Sequence, residues 1–128
     1  MKKGIFFFVL FVFYSAVSFA DVIKSETSSV SSHYINRIEV YPSFLSLYRG
    51  DSVWMDINCF DIYGYSVPDF TLRYFMTDIW GRVVPYNFVH IDPPGILRVF
   101  SWATPGRYLL HFEDVYGPAQ TFIYLDIC

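Results

Sequence analysis

The sequence predicts an all-β fold: an antiparallel two-sheet sandwich of about seven to eight short strands, preceded by a cleaved signal peptide. Three observations predict it. From Arg37 onward, apolar residues recur at every second position, which marks strands with one buried face. Turn-forming residues interrupt the chain at intervals of roughly 8 to 12 residues, the spacing of a sandwich or barrel. After residue 20 no long stretch keeps a helical apolar stripe, so parallel α/β architectures are disfavoured.

The elements follow in order. Met1-Lys2-Lys3 is a positive start, Gly4 to Tyr14 an uncharged apolar run, and Ser18 and Ala20 are small residues before Asp21. That is the three-part pattern of a secretory signal peptide over residues 1–20. It implies export to the periplasm, the cell surface or the medium, with membrane contact only through the uncleaved segment. Residues 21–34 are Ser/Thr-rich without apolar periodicity and read as a linker. The domain is expected over residues 35–128.

Within it, Arg37 to Tyr41 alternates and stops at Pro42, and Phe44 to Tyr48 stops at Arg49-Gly50. Ser52 to Phe60 is the clearest strand, with Val53, Met55, Ile57 and Cys59 on one face. Leu72, Tyr74 and Met76 mark the next. Short strands follow at Phe88 to Ile91 and Ile96 to Ala103, separated by Pro93-Pro94-Gly95. Tyr108, Leu110 and Phe112, then Ile123, Leu125 and Ile127, define the inward positions of the last two.

Composition excludes whole classes. The chain is 54% hydrophobic and 16% charged, too apolar for intrinsic disorder. Nine basic residues face twelve acidic ones, for a net charge of −3, so no nucleic-acid partner is expected. Cleavage after Ala20 removes Lys2 and Lys3 and makes the mature chain more acidic.

A local pattern recurs three times between strands: Asp61-Ile62-Tyr63-Gly64, Asp78-Ile79-Trp80-Gly81 and Asp114-Val115-Tyr116-Gly117. Asp can accept bonds from the backbone two residues on, and Gly takes positive φ at the fourth position. One carboxylate per turn is too few for calcium, which takes at least about six oxygens. Turn chemistry is therefore the reading.

In their order, these residues resemble a bacterial immunoglobulin-like domain of the invasin and intimin repeat type. The resemblance is carried by Ile38-Glu39-Val40-Tyr41-Pro42, Leu47 with Gly50, the strand ending in Asp61-x-Tyr63-Gly64, and Val67-Pro68. The last third, from Pro105-Gly106-x-Tyr108 to Asp114-x-x-Gly117, is similar to PKD-like domains. The resemblance implies a surface-exposed domain with a role in adhesion. It also implies that the loops after the second, fourth and sixth core strands cluster at one pole. Two departures stand out. Leu110 occupies the position of the second core cysteine, and Tyr74 is the nearest aromatic to the usual core tryptophan.

Catalytic chemistry is poorly represented. His33, His90 and His111 form no ligand spacing with each other or with a cysteine, so neither a zinc site nor any other metal or cofactor is expected. Phosphate-loop and nucleophile-elbow motifs are missing from the sequence, and no enzyme is expected. On an immunoglobulin-like topology Cys59 and Cys128 fall at opposite poles, beyond the roughly 7 Å that a disulfide spans. Cys128 is then a free terminal thiol that could link two copies.

The aromatics remain. Phe44, Phe88, Phe100, Tyr108 and Phe112 are assigned to the core, while Tyr63, Tyr65, Trp80 and Tyr116 fall in turns. Tyr63, Tyr65 and Tyr116, with Pro94 of the rigid Pro-Pro-Gly turn, are the candidate partner-binding residues. They either contact an extracellular protein or glycan or fold back to cap the sandwich. The expected function is a secreted, non-catalytic binding module. Alternatives are a structural subunit of the cell envelope and a protease inhibitor on the same scaffold.

Overall fold

The computed structural model describes residues 22–24, 34–84 and 87–128. The expected signal peptide and most of the expected linker lie outside them. The described residues form ten strands and no helix: β1 (Val22–Lys24), β2 (Arg37–Tyr41), β3 (Phe44–Leu47), β4 (Ser52–Trp54), β5 (Asp56–Phe60), β6 (Thr71–Asp78), β7 (Val89–Asp92), β8 (Ile96–Val99), β9 (Gly106–Asp114) and β10 (Gln120–Ile127). A five-stranded sheet runs β1-β6-β9-β10-β3. The other strands pair as β2-β5 and as β4-β8-β7. None of these sheets closes on itself, an arrangement consistent with a β-sandwich.

The chain from Ser52 to Phe60 runs as two strands separated only by Met55. Its first part pairs with β8 and its second with β2. At Met55 the amide donates to Gly95 O at 2.8 Å, so the β7–β8 turn seats against the middle of this stretch. β2 and β3 are separated by Pro42 and Ser43 and belong to different sheets. β3 runs parallel to β10, whereas the other ladders are antiparallel.

One core lies between these strands. β6, β9 and β10 turn Leu72, Tyr74, Met76, Leu110, Phe112, Ile123, Leu125 and Ile127 inward. Ile38, Val40, Ile57, Cys59, Val89, Ile91, Leu97 and Val99 meet them from the other strands. The inward positions expected on β6, β9 and β10 are the ones buried, whereas Val53, Phe88 and Phe100, also expected inside, are only partly buried. A hydrogen bond crosses the core, from the Ile91 amide to the Tyr74 hydroxyl at 3.2 Å. At the entry to β9 the Tyr108 hydroxyl donates to Thr104 O at 2.7 Å, tying the strand to the loop before it.

Three further expectations differ from the structure. The stretch read as linker contains β1, which pairs with β6. Ile23 is 0% exposed; one branched residue at a sheet edge is too short a signal for periodicity to find. Phe44, assigned to the core, is 50% exposed: β3 turns Leu45 inward, which sends Phe44 to the opposite face. The strand expected over Ile96 to Ala103 ends at Val99, and Ala103 is buried in the following turn.

Leu110→Ala and Ile57→Ala should each cost about 2 to 5 kcal/mol, because each leaves a cavity in the shared core. Tyr108→Phe should cost roughly 1 kcal/mol, the worth of one hydrogen bond. Urea denaturation checks all three. Losses below about half a kcal/mol for both aliphatic variants would mean that the inward face is assigned one residue out of register.

Candidate functional site

Two of the Asp-x-aromatic-Gly turns are held in the same way. Asp61 Oδ1 accepts from the amides of Tyr63 (2.9 Å) and Tyr65 (3.0 Å), and the Gly64 amide returns to Asp61 O at 3.0 Å. Asp78 holds Trp80 and Arg82 in the same way, with both amides 2.9 Å from its Oδ1. Gly64 and Gly81 both sit at φ 85°, a conformation costly for residues with a side chain. The aspartates thus act as turn staples.

The third turn departs from this reading. Asp114 Oδ1 accepts from the Tyr116 amide at 3.2 Å, but Gly117 is not at positive φ. Its glycine is required by space: a Cβ there would stand 2.8 Å from Asp114 Oδ2 and 3.5 Å from the Tyr34 ring. Asp114 is buried, with the turn closed tightly upon its carboxylate.

The first and third turns share a pole. β9 ends beside the start of β6, since Asp114 pairs with Leu72. The Asn36 amide donates to Phe60 O at 2.8 Å, bringing Tyr34 to the same end as the Asp61 turn. Tyr63 is 81% exposed, Tyr65 72% and Tyr116 77%. Of the two readings of these rings, capping the core is the one their exposure disfavours. Pro94 does not join them. Its turn seats at Met55, five residues below Phe60, or roughly 17 Å along a strand. Trp80 belongs to the opposite end, because Asp78 pairs with Tyr108 near the start of β9.

Beside the tyrosine pole is a shallow depression of about 250 Å³, lined by Arg73, Glu113, Asp114, Val115, Pro118 and Gln120. Its walls are polar and it opens broadly to solvent. Among the described residues, no three His, Cys, Asp or Glu side chains gather in a way that could hold a metal ion.

A second aromatic surface escaped the sequence reading. The solvent face of the five-stranded sheet carries Phe75, His111 and Phe122 in one row and Thr77, Leu109, Tyr124 and Phe44 in the next. Phe75 stacks on His111 at 4.8 Å, and Phe122 meets Tyr124 edge-on at 5.7 Å. Charged rows border this band. Arg73 and Glu113 lie above it, 3.9 Å apart. Arg107 and Asp126 lie below it, joined by two bonds of 2.8 and 3.0 Å. The available signal was the alternation itself: Phe122 and Tyr124 interleave with Ile123 and Leu125, so both faces of β10 read as apolar.

The two described histidines are engaged locally, and His33 lies outside the described residues. His90 Nε2 lies 2.9 Å from Asp92 Oδ1 on an exposed strand. His111 Nε2 lies 2.8 Å from Thr77 Oγ1. Desolvation holds the His111 pKa below its ordinary value, with Glu113 opposing more weakly. Thr77 is 4% exposed, so its hydroxyl is shielded from solvent, while the His111 ring is half-buried on the sheet face.

Both thiols are free. Cys59 is enclosed at the tyrosine end of β5, and Cys128 is exposed at the far end of β10, where its amide donates to Leu47 O at 2.8 Å. No family model matches the chain, and neither does any curated protein.

Burial pushes the Cys59 thiol up to about 12, and the Asp114 charge adds to the shift. Iodoacetamide labelling at pH 8 followed by mass spectrometry should modify Cys128 promptly. Cys59 should react on the order of a hundredfold more slowly until denaturant is added, since the thiolate is the nucleophile. Equal rates in the folded protein would place Cys59 outside the core.

Proposed function

We propose that the protein is an exported, non-catalytic binding module that grips an extracellular protein or glycan through its tyrosine pole. The observation that carries this reading is the exposure of Tyr63, Tyr65 and Tyr116 on turns whose amides are stapled by Asp61 and Asp114. Rigid tyrosines give contact area at low entropy cost, as they do in antibody paratopes. A pre-organised turn also avoids the ordering penalty that a loose loop incurs on binding.

The same reading takes the scaffold as immunoglobulin-like. It is supported by the parallel β3–β10 pairing, by the division of β2 and β3 between sheets, and by the Ser52–Phe60 stretch serving two neighbours. The Tyr108 to Thr104 bond resembles the tyrosine corner of such folds. Without an inter-sheet disulfide, cohesion rests on packing and on the Ile91–Tyr74 hydrogen bond across the core. An assembly role through Cys128 is the second reading, and the exposed terminal thiol favours it.

Exported protein should begin at Asp21 on N-terminal sequencing. The mature domain, screened against glycan and surface-protein arrays, should retain a ligand. Changing Tyr63, Tyr65 and Tyr116 together to Ala should weaken that binding at least tenfold while the melting temperature stays within about 3 °C, because exposed side chains contribute little to stability. Undiminished binding by the triple variant would refute the pole as the contact surface.

A further inference from the structure

The solvent face of the five-stranded sheet has the layout of an interface. Its two central rows are apolar and aromatic but for His111 and the buried Thr77, and a charged pair borders them on each side. Protein contacts are built as an apolar centre within a polar rim. β9 and β10 span all four rows, β6 the upper three, β3 the lower two, and β1 reaches only the upper rim. At about 4.8 Å between strands and about 6.8 Å between rows, the footprint is roughly 450 Å² before side-chain relief, the low end of specific contacts.

Charge identifies the occupant. The chain has a net charge of −3, so copies of it repel over most approaches. This face is balanced: Arg73 and Glu113 on one rim, Arg107 and Asp126 on the other. The register then selects one symmetry. Glu113 and Arg107 stand on the same strand, β9, one row above and one row below the apolar band. A two-fold axis parallel to the strands and centred over β9, the middle strand of the five, sets Glu113 against Glu113 and Arg107 against Arg107. A two-fold axis across the strands sets Glu113 of each copy against Arg107 of the other. It also lays Phe122 over Tyr124. Strand directions remain aligned, as packed sheets require.

We propose that two copies of this chain pair face to face through the five-stranded sheet, about a two-fold axis running across the strands. The contact is isologous and closed. It leaves the tyrosine poles free at opposite ends, so the dimer is a bivalent form of the binding module. It does not depend on Cys128, which lies beyond the lower rim. With an area at the low end for stable complexes, the dimer is reversible, with a midpoint on the order of micromolar.

The test uses the mature protein in reducing buffer with Cys128→Ser as background. Analytical ultracentrifugation should show a concentration-dependent dimer, and Phe122→Glu and Tyr124→Ser should each raise its midpoint at least tenfold. Both side chains are exposed, and thermal melts verify that the variants fold. Glu113→Cys protein mixed with Arg107→Cys protein should be joined by a bis-maleimide spanning the roughly 10 Å between packed sheets. Each variant alone should cross-link far less. A wild-type monomer at all concentrations to several hundred micromolar would overturn the proposal, as would stronger cross-linking of Glu113→Cys to itself. So would a Phe122→Glu variant that dimerises normally. The triple tyrosine variant should dimerise unchanged, which separates this proposal from the reading of the pole.

Discussion

β9 pairs along its length with β10 on one side and with β6 on the other. That double ladder is the constraint on which the remaining features rest. Because side chains alternate strictly, one register fixes at once what is buried and what is offered to solvent. Leu110 and Phe112 are drawn into the core, and Leu109, His111 and Glu113 are thereby sent outward. The ends of the same strands carry the turns, so the position of Tyr116 at the pole and of Cys128 at the far end follows from the same pairing. No cross-link reinforces it, since both cysteines are free.

The turn aspartates show how a surface can be exposed and still ordered. A tyrosine on a loose loop must surrender its freedom when it binds. Here Asp61 fixes two amides and Asp114 one, so the backbone beneath Tyr63, Tyr65 and Tyr116 is settled beforehand. The cost falls on the sequence. Gly64 is needed for its φ of 85°, and Gly117 for the room it leaves beside Asp114. The sheet face achieves order differently, by stacking His111 against Phe75 and close to Phe122.

Much of the fold was legible because its signals are local. Alternation located most of the strands, and the repeated Asp-x-aromatic-Gly unit identified three turns, all stapled by their aspartates, of which the first two also place glycine at positive φ. What was missed required knowledge of neighbours. Ile23 is an inward residue only because β6 lies beside it. Phe44 is outward only because β3 joins β10 in parallel register, with Leu45 beside Leu125. Pro94 was grouped with the tyrosines by loop order, but the Met55–Gly95 contact holds its turn lower on the molecule. The aromatic sheet face was illegible because apolar residues on both faces of a strand erase the very alternation that assigns them.

Hydroxyl-radical footprinting read residue by residue, on dilute protein where copies are apart, tests the β9 register most directly. The account predicts rapid oxidation at Tyr63, Tyr65, Tyr116, Phe122 and Tyr124, with Tyr74 and Phe112 protected. Rapid oxidation at Phe112 with protection at Phe122 would contradict it, because only a sheet slipped by one residue produces that inversion.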